Sequence, residues 1–376
     1  MSPAPDVVVV GGGIAGCAVT WSLAREGVRV ALLEAGELAG RASGAAAGML
    51  APLTESAGRP GALREAGLAA LARMDALCAE LRERSGVDPE WRRSGVLRVA
   101  RDPSEADALR AELGAAAALG ERTWLDAGAL RAEEPLAAPD LEGAIWTPQE
   151  GHVRSPLLAR AYAGAAASLG ARVETGVPAH AVLRGAPGGA VSGVRTADGV
   201  RAAGAVVLCG GAWTPELAAG LPGRPVPIEP VRGQILSLAA PTPALRTIVW
   251  GGSTYLVPKA DGTVVAGATE ERAGFDCRVT AEGVRGLLDA APRLVPALAS
   301  CTFRGAWAGL RPTTPDLLPL VGAWPGVPGL FVAAGHHRSG VLLSAVTGEI
   351  VAGLLLGKDV PAVARAFDPA RFLAAT

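Results

Sequence analysis

Val7 to Val10 form an unbroken β-branched run that stops at Gly11, the pattern of a strand covered on both faces within a parallel sheet. The spacing after it predicts a helix from Ile14 to about Glu26, closed by Gly27, and a second buried strand from Val28 to Leu33 that ends in Glu34. Together they make a βαβ unit. Residues 41–52 (RASGAAAGMLAP) are nearly all small, which suits close backbone approach to something flat better than a packed element. Apolar positions at Leu63, Leu68, Leu71, Met74, Leu77 and Leu81 predict an amphipathic helix from Leu63 to Arg84. Helical stretches follow from about Glu105 to Leu119 and up to Pro135. Strands and loops then run to Pro156, and a further helix from Leu157 to Leu169. Val173, Val191 to Val194 and Ala205 to Leu208 read as short strands returning to a doubly wound sheet.

Between Val226 and Leu310 the pattern changes to antiparallel strands with a turn at Asp261-Gly262, and Thr280 is placed to cap a helix through about Leu288. Gly329 to Ala334 is another buried strand, followed by the loop GHHRSG and an apolar helix from Val341. Parallel-type segments thus recur at both ends and in the middle. The fold expected is α/β: a Rossmann-type dinucleotide domain (1–60, 150–225 and 323–376) interleaved with an antiparallel-sheet α+β substrate domain (61–149 and 226–322).

Composition narrows the partners. The chain has 376 residues, half of them hydrophobic, with 35 Lys and Arg against 36 Asp and Glu. A net charge of −1 provides no field for nucleic acid or an anionic membrane, so a small-molecule partner is expected. Five isolated cysteines without a C-x-x-C pair argue against a disulfide framework or a cysteine-rich zinc site and favour a reducing, cytoplasmic compartment. No secretory signal is expected, because the N-terminal stretch runs straight into the first strand. The apolar segment 341–357 carries Ser344, Thr347 and Glu349 and reads as a buried helix rather than a membrane span. A homo-oligomer is the assembly expected.

The chemistry starts at Gly11-Gly12-Gly13-Ile14-Ala15-Gly16, a G-x-G-x-x-G between strand and helix, with Glu34 following 18 positions after Gly16. Gly11 permits the tight turn, Gly13 lets amides approach a pyrophosphate, Gly16 lets helix pack on strand, and Glu34 is placed to accept from ribose hydroxyls. The fingerprint fits FAD and NAD alike. The small-residue segment 41–50 and the late loop from Gly335 to Gly340 favour a flavin, since a helix N-terminus can stabilise the charge that collects on a reduced isoalloxazine.

GGGIAGCAVTWSLAREG, RASGAAAGMLAP, VRGQIL, YLVPKADGTVVAGATEERAGFD, WAGLRPTTPDLLPLVG and FVAAGHHRSGVLLSAVTG resemble, in order from Asp6 to about Leu356, the glycine oxidase branch of the D-amino-acid oxidase family, the branch associated with thiamine thiazole synthesis. The resemblance implies noncovalent FAD between a dinucleotide domain and an antiparallel sheet, and oxidation of a small amino acid to its imine by hydride transfer to flavin N5, with O₂ reduced to H₂O₂. It carries flavin contacts onto Ile14, Ala15, Glu34, Ala35, Ala42, Ser43, Ala47, Gly48 and Met49. The loop His336, His337, Arg338, Ser339, Gly340, Val341 and Leu342 and a strand edge near Ala179 belong to the same set. Arg311 matches the arginine that grips the substrate carboxylate, Tyr255 its hydroxyl-bearing neighbour, and Arg338 a second substrate-side arginine. A covalent flavin cysteine of sarcosine-oxidising relatives would align near Gly309, where no such bond can form. A thiazole-forming enzyme is the implied acceptor of the imine.

Each residue also has a plainer reading. Arg311 could pair with Asp316, Tyr255 could be a core residue whose hydroxyl meets backbone, and Arg338 could bind FAD phosphate or pair with Glu349. His336 and His337 lack metal-ligand company, and His152 reads as a loop residue. A D-amino-acid or sarcosine oxidase, a dehydrogenase with another acceptor, and a non-catalytic dinucleotide-binding protein stand as alternatives.

Overall fold

In the computed structural model, which describes residues 5–55, 59–115, 121–185 and 189–373, Val7–Val10 lies near the middle of a six-stranded sheet. Val30–Glu34 and Ala205–Leu208 flank it in parallel, Arg172–Thr175 and Leu330–Ala334 extend the parallel set outward, and Leu320–Ala323 closes one edge antiparallel. All four valines are buried, alternating between two cores: Val7 and Val9 toward one face, Val8 and Val10 toward the other.

The first face is covered by Ile14–Arg25, Ser155–Ser168 and Ser344–Leu356. An antiparallel three-stranded sheet of Ala179–Arg184, Val191–Thr196 and Gly199–Ala202 covers the second. The expectation that Val191 to Val194 returns to the parallel sheet is therefore corrected. Val191 and Val194 are buried in the core of Val8 and Leu208, but Ser192 and Arg195 between and beyond them are exposed, which marks a strand with one wet face.

The helix predicted from Leu63 to Arg84 is two helices, Gly61–Leu71 and Met74–Ser85, separated at the exposed Ala72 and Arg73 while Leu71 and Met74 stay buried on either side. Leu63, Leu71, Met74 and Leu81 complete the core beneath Ile14–Arg25. Residues 61–85 thus pack with the parallel sheet rather than with the second unit, where their position in the chain had put them. The helix begun near Glu105 is Pro103–Ala115, and its expected end at Leu119 lies outside the described residues. The apolar helix expected from Val341 begins at Ser344, after a turn.

The second sheet has eight strands in the order Phe303–Thr313, Glu229–Ala239, Thr263–Gly267, Thr254–Pro258, Ile248–Gly251, Val96–Ala100, Gly143–Thr147, Thr123–Asp126. Its pairs are antiparallel except Ile248–Gly251 with Val96–Ala100. Asp261 makes the predicted turn, its Oδ1 accepting from the Thr263 amide at 3.1 Å. Thr280 caps Ala281–Leu294 by accepting from the Gly283 amide at 3.1 Å, and that helix outruns its predicted end because Leu287, Ala291 and Leu294 continue one buried stripe. Among the described residues no helix is long and apolar enough to cross a membrane.

Candidate active site

A cavity of about 510 Å³ opens where the C-terminal ends of the central parallel strands meet one face of the eight-stranded sheet. That volume lies in the range of pockets for cofactors and small ligands, roughly 300–1,000 Å³. The glycine turn forms one end. Gly11 takes φ +109°, and a Cβ on Gly16 would sit 1.9 Å from the Gly11 carbonyl oxygen, so helix and turn approach as only glycines allow. Gly13 offers no side chain to cap Ile14–Arg25, which leaves first-turn amides after that of Ile14 for an anion. Ser43 Oγ accepts from the Ile14 amide at 2.9 Å and ties the small-residue segment to the turn. Glu34 accepts from the amides of Gly12 (2.6 Å) and Gly36 (2.8 Å), which fixes its carboxylate at the strand end.

The small residues of 42–49 form the next wall. Gly48 has φ +78°, and a Cβ there would lie 2.1 Å from the Val153 carbonyl oxygen, so this turn also requires glycine. Behind it the Lys259 ammonium donates to the carbonyls of Ala47 (2.6 Å) and Val153 (3.0 Å), and burial pulls that ammonium down to about 7. His337, at φ +49°, donates its amide to Pro312 O at 2.8 Å; both ring nitrogens are buried without a hydrogen-bond partner among the described residues, with Glu270 Oε1 3.8 Å from Nε2. Burial, reinforced by Arg59 and Arg338, pulls its pKa down to about 3, so the ring is neutral at pH 7. His336 is likewise pulled by burial, to about 4, and meets Thr347 Oγ1 at 2.8 Å. Glycine cradles at both turns, open helix amides and an orphaned imidazole fit a dinucleotide ending in a flat ring system, as FAD does.

Arg311 and Tyr255 rise from the antiparallel sheet at the other end. Arg311, on Phe303–Thr313, pairs in register with Val231, and its guanidinium lies over Gly233, where a Cβ would come within 2.3 Å of Nη1. Nη1 donates to Thr269 O at 3.1 Å and grazes Arg232 O at 3.5 Å. Among the described residues no carboxylate pairs with it: Asp316, the plain alternative, is held by Arg371 at 2.8 Å. Burial pulls the Arg311 pKa below the usual arginine value, opposed by Tyr255. Tyr255 stands opposite Gly267, whose missing side chain leaves room for the phenol, and burial pushes the hydroxyl's pKa up against the pull of Arg311. Arg338 is paired with Glu270, while Glu349 is taken by Arg73.

The cavity gathers Gly11, Gly13, Ile14, Ala15, Glu34, Ala35, Ala42, Ser43, Ala47, Gly48, Met49, Ala179, Tyr255, Arg311, His336, His337, Arg338, Gly340 and Val341. Three expected contacts do not line it. Gly16 is consumed by packing on Gly11. Ser339 is turned to Arg59, whose Nη1 lies 3.3 Å from its hydroxyl, and Leu342 is buried in the helix core beside Gly67. Sequence reasoning missed Glu55, Trp250, the Gly210-Gly211 turn and Arg41, whose guanidinium stacks 5.2 Å from the Trp213 ring. The glycines after Ala205–Leu208 carried a signal, since ligands of open α/β sheets bind at the carboxyl ends of strands. Glu55 carried none.

Residues 6–354 match the family model of the FAD dependent oxidoreductases. The glycine oxidase of Geobacillus kaustophilus (strain HTA426) is 40% identical over 371 residues, covering 98% of this chain and 96% of that protein. The crystal structure of glycine oxidase from Geobacillus kaustophilus superposes with a TM-score of 0.92 at 37% identity, covering 98% of this chain and 99% of that one. The bifunctional protein ThiO/ThiG of Synechocystis sp. (strain ATCC 27184 / PCC 6803 / Kazusa) is 33% identical across 100% of this chain, which spans 55% of that protein's length. A glycine cradle facing an arginine across one cavity, in a fold shared end to end with such proteins, leads to one assignment: the chain belongs to the FAD dependent oxidoreductase family.

Proposed function

We propose that this chain oxidises glycine, or a similarly small amino acid or secondary amine, to the corresponding imine. The observation that carries the reading is Arg311: a half-buried guanidinium without a carboxylate partner among the described residues, beside Tyr255 and in the same cavity as the glycine turn. A desolvated guanidinium binds a substrate carboxylate through two charge-assisted bonds, and this fixes the direction of the Cα–H bond. Tyr255 adds one hydrogen bond to the same carboxylate, and Arg338, already neutralised by Glu270, borders the amine side.

In this reading Gly11, Gly13, Ile14 and Ala15 hold the pyrophosphate of FAD, Glu34 and Ala35 its ribose, and Ala179 the adenosine end. Ala42, Ser43, Ala47, Gly48, Met49 and the 336–341 loop hold the ring system, with Gly16, Ser339 and Leu342 supporting them from behind. FAD, when bound, supplies the acceptor for the substrate's hydride and passes the electrons to O₂, which yields H₂O₂. The dinucleotide unit then comprises 1–85, 150–225 and 323–376. The name of the Geobacillus relative supports glycine as substrate, and the bifunctional Synechocystis relative, about half of whose length this chain spans, is in keeping with a second enzyme, a thiazole-forming one, as recipient of the imine.

The test is anaerobic: purified yellow protein should bleach on addition of glycine, and in air should release peroxide in step with glycine consumed. Bleaching without peroxide would make it a dehydrogenase. Faster turnover of sarcosine or a D-amino acid would move the substrate, and no bleaching by any amino acid would defeat the oxidase reading.

A further inference from the structure

Three carboxylates line the cavity: Glu34, Glu216 and Glu55. Glu34 is anchored by the amides of Gly12 and Gly36 beside the glycine turn, and Glu216 lies on the short helix Thr214–Leu217 that follows Trp213. Glu55 alone stands with Arg311 and Tyr255, close enough that its charge acts on both. From the geometry, we infer that Glu55 is the group that receives the substrate's amine: it binds the ammonium and takes its excess proton. The inference rests on the proposed amine oxidation and names the residue that makes it possible at neutral pH.

Glu55 is held for such a role. The buried carboxylate of Glu150 accepts from the amides of Leu53 (2.6 Å) and Thr54 (3.0 Å), which fixes the backbone immediately before Glu55. Glu55 Oε2 accepts from Arg59 Nη1 at 2.9 Å, and the same nitrogen lies 3.3 Å from Ser339 Oγ on the 336–342 loop. Oε1 has no hydrogen-bond partner among the described residues. A small zwitterion with its carboxylate on Arg311 therefore meets one free anionic oxygen in the substrate half of the cavity.

The charges facing Glu55 set its basicity. Arg59 lies on its own segment, Arg338 and the neutral His337 on the 336–342 loop, Arg311 and Tyr255 on the antiparallel sheet, with Glu150 behind and Glu270 on Arg338. Burial pushes the Glu55 carboxyl above its ordinary value, and Arg59, Arg338 and Arg311 pull it back. The carboxylate, ion-paired with Arg59 at 2.9 Å, is thus a better proton acceptor than one in water.

The transfer balances. An N–H bond of the ammonium breaks, an O–H bond forms on Glu55, and the electron pair stays on nitrogen. That pair becomes the C=N π bond as the Cα hydride leaves with its own pair to the two-electron acceptor. Glycine thereby loses one proton and one hydride and becomes the iminium, and Glu55 returns its proton to solvent after product leaves.

The experiment is the pH dependence of kcat/KM for glycine in the wild-type holoenzyme, E55Q and E55D. A wild-type enzyme with an internal acceptor holds its rate well below the titration of the free amine, falling only as Glu55 itself is protonated. Glutamine keeps the hydrogen bond to Arg59 but cannot take a proton. E55Q should therefore climb by about one decade per pH unit up to the amine's titration, lie roughly 100-fold or more below wild type at pH 7, and approach it where the amine is already neutral. Should E55Q not retain FAD, E55D decides: a plateau shaped like wild type supports the inference, and a climb to the amine's titration overturns it. An E55Q profile parallel to wild type, displaced equally at all pH values, would show that Glu55 only braces Arg59 and would overturn it. If wild type bleaches with no amine, the proposed function falls and takes this inference with it; if wild type turns over and the profiles are parallel, the inference alone fails.

Discussion

Replacing Arg311 by methionine removes a charge that, among the described residues, meets the carbonyls of Thr269 and Arg232 and the hydroxyl of Tyr255. Methionine keeps an unbranched apolar stem of similar reach, so the change falls on the guanidinium. In the wild type that group is desolvated before substrate arrives, and the cost of burying it has already been met in folding. Truncating one partner of such a buried charge-assisted pair costs about 2–5 kcal/mol. At roughly 1.4 kcal/mol per decade this lowers kcat/KM by a factor of about 30 to several thousand. Lysine in the same place keeps the charge but cannot form two parallel bonds, so R311K should fall between the two. The measurement is anaerobic single-turnover bleaching over a range of glycine concentrations, combined with thermal unfolding. The unfolding midpoint of R311M should match or exceed the wild type, because a half-buried charge without a carboxylate partner among the described residues has been replaced by an apolar chain. A kcat/KM within about threefold of wild type would refute the role of Arg311, and loss of turnover together with a collapsed midpoint would mean the residue is architectural.

Gly16→Ala drives a Cβ to 1.9 Å from the Gly11 carbonyl, so the turn must open; overpacking of this kind costs at least 1–3 kcal/mol, roughly, and should be read as a lower unfolding midpoint together with loss of bound FAD on gel filtration. Tyr255→Phe removes one hydroxyl and leaves the ring, so kcat/KM should drop about five- to tenfold, the value of one hydrogen bond, with the unfolding midpoint unchanged. Burial lifts the Glu150 carboxyl to about 7, against hydrogen bonds from Thr54 and Leu53 that pull it down. A carboxyl raised in the folded state binds protons there that the unfolded chain has released, so its contribution to stability falls as pH rises from about 4.5 through 7. E150Q should gain on wild type across that window, by an amount on the order of 3 kcal/mol at most, in urea unfolding at pH 5 and pH 8. A difference that does not change with pH would place the proton elsewhere.

The two ends of the site differed in how far sequence could reach them. The glycine turn and Glu34 were legible because strand, turn, helix and acidic residue follow one another within one short βαβ unit, and each has a local backbone reason. Arg311 and Tyr255 came from resemblance, and the feature that makes them a pair is Gly233 and Gly267 across the ladder, a matter of register that a single strand does not display. Val191 and Val194 misled because two buried valines look alike under a parallel sheet or on one side of an antiparallel one; the polar Ser192 and Arg195 were the telling positions. Residues 61–85 showed their apolar stripe but not which core it completes. Glu55 was invisible since its significance lies in sharing one cavity with Tyr255, Arg311 and Arg338, about 200 to 280 positions away.

Gly309 and Arg311 sit two apart on the same strand and both line the cavity, with Gly309 so close to the small-residue segment that a Cβ would fall 2.6 Å from Ala45 Cβ. Two residues of extended chain span about 7 Å. In the proposed reading, one strand therefore acts as a ruler between the wall that would hold the cofactor and the arginine that would anchor the carboxylate, and no domain closure is needed to set that spacing. Changes of substrate in this scaffold would then have to be written into the flanking segments around Glu55, Trp250 and Arg338, while the ruler stays constant.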